Sequence, residues 1–393
     1  MKPISLQLYT VRSLAAKDLA GTLAQVAAIG YRDVEFAGAG MNATTLRNNT
    51  SAQTDTEPFD FRGAFGVTVR DMTVNAGGAL RSTSDALDFD NGNDVLVQNV
   101  RVTGSRGRGI VFDGKNDSWD SARNHVVGCV IDGVPSDGIE LLASTDNVVE
   151  DCTITGVGGH GIQLAKSSLG SDQPNKLPSR NTIRDNTIDQ SGQDGINVNG
   201  GSDNLFVGNT ITNSSDDVSG RDGIRIGSGD GAACDDNQVR GNVATDNQST
   251  KTQRYGLNIS SSLCNRTVIG ADNDFSGNRV RDINDLGTGT VYEGGAPPVN
   301  NPPVAGDLSI TALVGTTTSW TPTVSDPDPG TTLRCQLLEQ PSQGTATVRT
   351  DCASGTYTSV AGATGSDSFV YRVTDGSLAD TGTVSVTIDA GVG

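Results

Sequence analysis

Apolar and polar residues alternate in short bursts along most of the chain, and the bursts recur. A Gly-Ile/Leu-x-hydrophobic phrase opens at GIVF (109), GIEL (138), GIQL (161), GINV (195), GIRI (223) and GLNI (256), with ALDF (86) as a variant. Each unit then carries a second phrase: NVVEDCTITG, NTIRDNTIDQ, NLFVGNTITN or NQVRGNVATD, foreshadowed by GVTVRDMTVNA and DVLVQNVRVTG. The shortest steps, 86 to 109 and 138 to 161, are 23 residues, and longer steps carry insertions. Alternation with period two predicts strands whose Ile, Val and Leu face one way. A fixed step of this size predicts a solenoid, because one unit cannot bury its apolar side without its neighbours. The expected body is a right-handed parallel β-helix over residues 43–296. Aligning the second phrases puts Met72, Val100, Cys129, Cys152, Asn186, Asn209 and Asn242 in one inward or bend column, which starts apolar and becomes an asparagine ladder.

The flanks differ in texture. Residues 1–38 read as strand, helix, strand. ISLQLYTV is the first strand, and Leu14, Leu19, Leu23, Val26 and Ala27 form a helical apolar stripe that Gly30 can stop. DVEFAG is the second strand. LQLYTVR and IGYRDVEFAG resemble the opening unit of the sugar-phosphate isomerase/epimerase family, a TIM barrel like that of xylose isomerase. The later barrel strands, which would bring metal ligands and acids, do not follow, and a lone βαβ unit leaves its parallel pair uncovered. Residues 1–42 are therefore expected as an isomerase-like βαβ fragment or N-terminal cap, with sugar isomerase or epimerase activity a remote alternative. EGGAPPVNNPPVAGD, from 293, is a linker. Residues 302–390 alternate again, and SDSFVYRVTDG with TVSVTI resembles the bacterial immunoglobulin-like or cadherin-like modules of surface proteins. The fold class is thus mainly β: a parallel β-helix followed by an immunoglobulin-like β-sandwich and preceded by a short βαβ-like segment.

Composition changes the picture in two ways. A net charge of −18 argues against nucleic acid and anionic membranes as partners, and no stretch has the length of a transmembrane helix. The opening TVRSLAAKDLAG carries Arg12, Lys17 and Asp18 where a signal peptide would be apolar. Six cysteines fall into three pairs. Cys129 and Cys152 occupy matching positions one coil apart, read as stacked buried thiols with a disulfide as the alternative. Cys234 and Cys264 lie in neighbouring coils, and Cys335 with Cys352 is expected as a disulfide. None has zinc-ligand spacing. The body points to an extracellular or cell-surface protein, expected as a monomer.

Candidate chemistry sits on the Gly-Ile-x-Leu strands. Ile and Leu face inward, so the residue between them should point to solvent, giving the column Asp88, Val111, Glu140, Gln163, Asn197, Arg225 and Asn258. The residue before each Gly gives a second column: Asp85, Arg108, Asp137, His160, Asp194, Asp222 and Tyr255. Asp137 and His160 stand one coil apart, so their side chains are expected to meet, and a carboxylate beside an imidazole favours the imidazolium. Asp-Gly is equally a good turn, which is the plainer reading of Asp194 and Asp222. Loops at 114–123, 166–180 and 246–255 flank this face as groove walls. The first, which follows Asp113, brings Lys115 and Trp119, a sugar-stacking platform, and the third brings Tyr255 as a second. His125, in NHVVG, reads as structural.

GGHGIQLAKSSLGS resembles the Gly-His-Gly segment of polygalacturonase-type hydrolases. PSDGIEL supplies only Asp137 of that family's acid pair, Arg108 stands where a further Asp is expected, and GIRIGSG keeps only Arg225 of an Arg-x-Lys. The Asp-Pro-His cluster of polyuronate epimerases is absent. DFDNGND offers Asp88, Asp90 and Asp94 with spacing for calcium but lacks the full loop pattern, so no cofactor is assigned beyond calcium as a candidate. The middle of the chain resembles the pectate-lyase-like β-helix superfamily. That resemblance implies a polysaccharide partner, bound and cleaved by a lyase or glycoside hydrolase. Asp137 and His160 would move protons, Arg108 would neutralise an anion, and Glu140 would share the catalytic group. Asp88, Asp113, Lys115, Trp119, Gln163, Asp194, Asn197, Asp222, Arg225 and Tyr255 would hold the sugar. The rival is a non-catalytic adhesin or scaffold.

Overall fold

The computed structural model describes residues 34–47, 59–77, 85–114, 121–166, 177–215, 220–294, 301–327, 331–375 and 378–390, with the backbone of 6–7. The chain forms two compact units, Met1–Ala296 and Pro297–Gly393.

The first unit is a parallel β-helix. Its front sheet has eight strands among the described residues: Leu87–Asp90, Ile110–Asp113, Ile139–Leu142, Ile162–Ala165, Ile196–Asn199, Ile224–Gly227 and Tyr255–Ile259, built by the seven phrases, and Arg281–Asp285 beyond them. Neighbours are parallel and in register, so Ile110, Ile139, Ile162 and Ile196 stack in one column. The second phrases make the other two sides. In early coils one long strand, Val67–Asn75 or Leu96–Thr103, runs round the corner. Later coils split it into short pairs such as Val148–Glu150 and Thr153–Thr155.

That corner has a local cause. Asp71, Asn99, Gly128, Asp151, Asp185, Gly208 and Gly241 each adopt a left-handed backbone, with φ between +51° and +67°. Gly, Asn and Asp tolerate this region best, and each stands immediately before a member of the expected column. Met72, Val100, Cys129, Cys152, Asn186, Asn209 and Asn242 are all buried there. The asparagines do form a ladder: Asn209 Oδ1 accepts the Asn186 backbone N–H at 3.1 Å and its side-chain N–H at 2.9 Å, and Asn242 repeats this for Asn209. A parallel ladder of Asn124, Asn147, Asn181, Asn204 and Asn237 runs at another corner. Its sequence signal is the Asn that opens each second phrase. Both ladders satisfy N–H groups where the sheet breaks at a bend.

Inside, the Ile and Val columns are sealed from solvent, each such side chain contributing roughly 1.5–3 kcal/mol. At the N-terminal end Phe61, Phe89 and Phe112 stack with ring centroids 4.9 Å apart, and Phe36 meets Phe61 edge to face at 5.6 Å. The helix expected around Leu14–Ala27 lies outside the described residues. The strand Val34–Ala37, read as the end of the isomerase-like fragment, pairs in parallel with Val67–Arg70 and so is a rung of the β-helix. The last rung is tied by Asp285, which accepts bonds from Gly287 N–H, Thr290 and the Tyr292 hydroxyl.

Cys234 and Cys264 form a disulfide between neighbouring coils with Cα atoms 4.4 Å apart, while Cys129 and Cys152 are buried thiols. Among the described residues, no helix is long and apolar enough to cross a membrane.

The second unit is an immunoglobulin-like sandwich. A four-stranded sheet orders Leu308–Leu313, Ala379–Asp389, Gly365–Thr374 and Arg334–Glu339, and a three-stranded sheet holds Thr317–Trp320, Gly355–Ser359 and Gly344–Val348. Trp320, Tyr357, Phe369 and Tyr371 fill its core, and the Cys335–Cys352 disulfide ties the strand Arg334–Glu339 to the turn between Gly344–Val348 and Gly355–Ser359.

Candidate functional site

The outward column of the front sheet does not face open solvent as expected. Asp88, Val111, Glu140, Asn197 and Asn258 are each 5% exposed or less, with only Gln163 and Arg225 half-buried. Side chains on in-register rungs stand about 4.8 Å apart and cover one another. Gln163 donates to Glu140 at 3.2 Å, Asn197 to Gln163 at 3.5 Å, and Arg225 to Asn197 at 3.1 Å. The second column leans across the first. The Arg108 guanidinium holds Asp85 at 2.6 and 3.1 Å and reaches over to Glu140.

The second column also has a consistent direction. Asp85 Oδ1 accepts the backbone N–H of Arg108 at 2.7 Å, Asp137 that of His160 at 2.6 Å, and Asp194 that of Asp222 at 2.7 Å. His160 follows the same rule with its ring: Nδ1 accepts the Asp194 N–H at 3.2 Å. Asp85, Asp137, His160 and Asp194 thus each cap the next rung forward, while the Arg108 guanidinium reaches back to Asp85. This corrects the expected Asp137–His160 side-chain contact. The Asp137 carboxylate stops at the His160 backbone while the imidazole points on to Asp194, whose Oδ2 lies 3.4 Å from Nδ1. The ring's other nitrogen, Nε2, sits 3.4 Å from the Asn197 amide nitrogen.

Burial sets the electrostatics. Loss of solvent pushes the Glu140 carboxyl up to about 7 against the pull of Arg108. Asp137 is raised by the same cause. Burial, reinforced by the neighbouring Asp222 charge, carries Asp194 up to about 7. Burial and the charges of Arg221 and Arg225 drive His160 down to about 3, so its imidazole is neutral. Burial opposes the Arg108 charge, but the Asp85 hydrogen bonds and the Glu140 and Asp85 charges outweigh it, and Arg108 stays cationic. One guanidinium thus faces Asp85, Asp137 and Glu140 together.

The remaining expected residues are dispersed. Asp88 and Asp113 are buried on the first rungs. Lys115 and Trp119 lie outside the described residues. Asp222 is occupied by Arg254 at 2.9 and 3.0 Å and by Asn258 at 2.6 Å. Tyr255 is not an open stacking platform: its buried ring lies between the Arg254 and Arg281 guanidinium groups, 4.6 and 5.6 Å from its centroid. The Asp88, Asp90 and Asp94 carboxylates do not converge as the calcium spacing suggested. Asp94 sits on a left-handed corner and turns to Arg123, with two contacts of 2.8 Å. Among the described residues no three His, Cys, Asp or Glu side chains gather to hold a metal. His125 pairs with Glu150 at 2.7 Å on another side. Sequence reasoning missed the roles of Asp85, Arg221 and Arg254. Their signal was position, since Arg221 and Arg254 each precede a member of the second column.

Residues 34–172 and 115–301 match the family model described as right handed beta helix region, and residues 300–387 match that of the bacterial Ig domain. No curated protein matches the chain. Among solved structures, the A-module of the Azotobacter vinelandii mannuronan C-5 epimerase AlgE4 is similar at 18% identity over 67% of this chain and 85% of that one, with a TM-score of 0.44. Tailspike protein 2 of bacteriophage CBA120 is similar at 10% identity over 92% of this chain and 64% of its enzymatically active domain, with a TM-score of 0.45. The catalytic domain of a GH87 α-1,3-glucanase is similar at 17% identity over 65% and 60%, with a TM-score of 0.35.

Proposed function

Since the chain belongs to the right-handed β-helix family, we propose that it binds and cleaves an extracellular polysaccharide on the front sheet, at the rungs carrying Arg108, Glu140, Gln163 and His160. One observation carries this reading. On three successive rungs, a carboxyl held up to about 7 lies one side chain from a permanent cation and one rung from a neutral imidazole. Polar groups whose environments push their proton affinities apart are what acid–base chemistry at neutral pH requires.

In this reading Glu140 is the general acid and gives its proton to the glycosidic oxygen as the C–O bond breaks. Arg108 then stabilises the carboxylate left behind, or an anionic group of the sugar. His160, uncharged, holds the sugar together with Gln163 and Asn197, and the Glu140 carboxylate, once its proton is given, takes one back from the attacking water or from the sugar ring. Asp137 fixes the rung of His160 through its backbone and adds the negative charge that keeps Glu140 protonated. Two disulfides fit a secreted or surface location.

A second reading, a non-catalytic surface scaffold, is favoured by the lacing itself: Asp85, Asp137 and Asp194 each spend an oxygen on the next rung. Product mass spectrometry separates the two, using acidic and neutral polysaccharides with and without calcium. Oligosaccharides from the wild type that fall by roughly a hundredfold or more in Glu140→Gln, and are lost in His160→Ala, establish cleavage. Their mass distinguishes addition of water from elimination. A folded wild type that releases nothing from any glycan sinks the enzyme reading in favour of the scaffold.

A further inference from the structure

Asp194 takes no part in the chemistry proposed above, yet its surroundings are unusual. Its side chain is fully buried. Oδ1 is committed to the Asp222 N–H, while Oδ2 has no hydrogen-bond partner. The nearest polar groups to Oδ2 are His160 Nδ1 at 3.4 Å and Arg221 at 3.8 Å. A sealed carboxylate oxygen with no donor is costly. Nδ1 cannot be that donor, because it already accepts the Asp194 backbone N–H. With Nδ1 accepting, the ring's own hydrogen sits on Nε2, which therefore makes no hydrogen bond with the Asn197 amide nitrogen 3.4 Å away.

From this geometry we infer that Asp194 carries an exchangeable proton on Oδ2, directed at His160 Nδ1, and that Asp194 is thereby the positioning residue that fixes the His160 tautomer. The inference rests on the reading of His160 as part of the working face, and supplies the regulation of that site. A proton on Oδ2 turns the orphaned oxygen into a donor. It also leaves Nδ1 with two long donors, the 3.2 Å backbone N–H and the 3.4 Å carboxyl.

The charges around the couple decide where the proton rests. Arg221 and Arg225 face the imidazole and oppose an imidazolium. Asp222, one rung forward, opposes a second carboxylate beside it and is itself held by Arg254. Asp137, one rung back, spends its oxygen on the His160 backbone. The proton therefore belongs on the carboxyl and leaves near neutral pH. Its loss replaces a donor facing Nδ1 with an anion, so the tautomer is fixed below that point and loosened above it.

The chain contains only two histidines, so ¹⁵N imidazole spectra of the full chain resolve both rings, and His125→Gln assigns them. His160 should remain neutral from about pH 5 to 9, with hydrogen on Nε2 below the midpoint and a minor Nδ1–H fraction above it. A small step near 7, a minor fraction of a full imidazolium change, should appear at Nδ1. An aspartate carboxyl carbon should titrate at the same midpoint, and both steps should vanish in Asp194→Asn, whose amide keeps a donor toward Nδ1. A full imidazolium shift of His160, a step that persists in Asp194→Asn, or no aspartate titrating near neutral in the wild type would overturn the inference. The last observation needs no variant to fold. No substrate enters the experiment, so a protein that cleaves nothing can still pass it, and an active enzyme can still fail it.

Discussion

At the scale of single residues, the front face is governed by how far a side chain reaches along the stack. Asp, with a short arm, ends on the next backbone N–H, whereas Arg108 is long enough to join two carboxylates. Arg108→Ala would leave Asp85 and Glu140 buried without a cation and should cost roughly 3–5 kcal/mol in urea unfolding. Glu140→Gln should cost far less, because that carboxyl is already partly protonated near 7. The pH dependence has a definite sign. Glu140 and Asp194 have folded values raised from 4.5 and 3.8 to about 7, so between those limits the folded chain holds protons that the unfolded chain has released. Their contribution to stability therefore grows as pH falls from about 7 toward 4 and is lost as it rises. The urea midpoint of the β-helix should be higher at pH 5.5 than at pH 8, and combining Glu140→Gln with Asp194→Asn should flatten that difference. A midpoint that instead falls steadily with acid would mean these carboxyls are ordinary. The two columns were legible in the sequence because the repeat dictates which residues align. The direction of reach was not, since alignment alone makes Asp137 and His160 neighbours without saying that both point forward.

At the scale of elements, strands and corners answer to different signals. Alternation of Ile and Val with polar residues marked the strands, and the Asn ladder followed from stacking the second phrases. The left-handed corners were less visible because Gly, Asp and Asn all serve there, so no single letter recurs. In the Asp94, Arg123, Asp146, Arg180, Asp203, Asp236 and Arg266 row even arginine adopts the left-handed backbone, held by ion pairs such as Arg180 with Asp146 at 2.8 Å. Exposed pairs of that kind contribute little. The buried amides are different. Asn209 accepts two N–H groups from Asn186 and donates to the Ile183 carbonyl and to Asn242. Asn209→Ala strands several buried polar groups at once and should cost about 2–4 kcal/mol. Asp203→Asn, on the outer row, keeps a residue that tolerates the left-handed backbone and should stay within about 0.5 kcal/mol. Equal losses at the two sites would show that the ladder is not a principal tie between rungs.

For the whole molecule, a solenoid is legible from sequence because each rung needs only its neighbours, so a repeat implies the fold even when the chemistry stays ambiguous. The same residues that look catalytic also lace rungs together, and spacing cannot tell the two uses apart. The N-terminal segment shows the opposite failure: its likeness to another family concealed that Val34–Ala37 adds a rung to this sheet. Cysteines distinguish the two units most simply. Cys129 and Cys152 are 0% and 1% exposed, inside the β-helix core, and the other four cysteines form one disulfide per unit. A thiol count on native protein should find none reactive over the time in which denatured protein yields two. Reduction should weaken each unit separately. The closed loops span 30 and 17 residues, and chain-entropy arguments assign loops of this size about 3–4 kcal/mol. Replacing Cys335 and Cys352 together with Ala should therefore lower the sandwich transition in calorimetry, while the β-helix transition keeps its place until Cys234 and Cys264 are removed as well. If either pair moved both transitions equally, the two units would not be separate folding bodies, and the division at residue 296 would have to be redrawn.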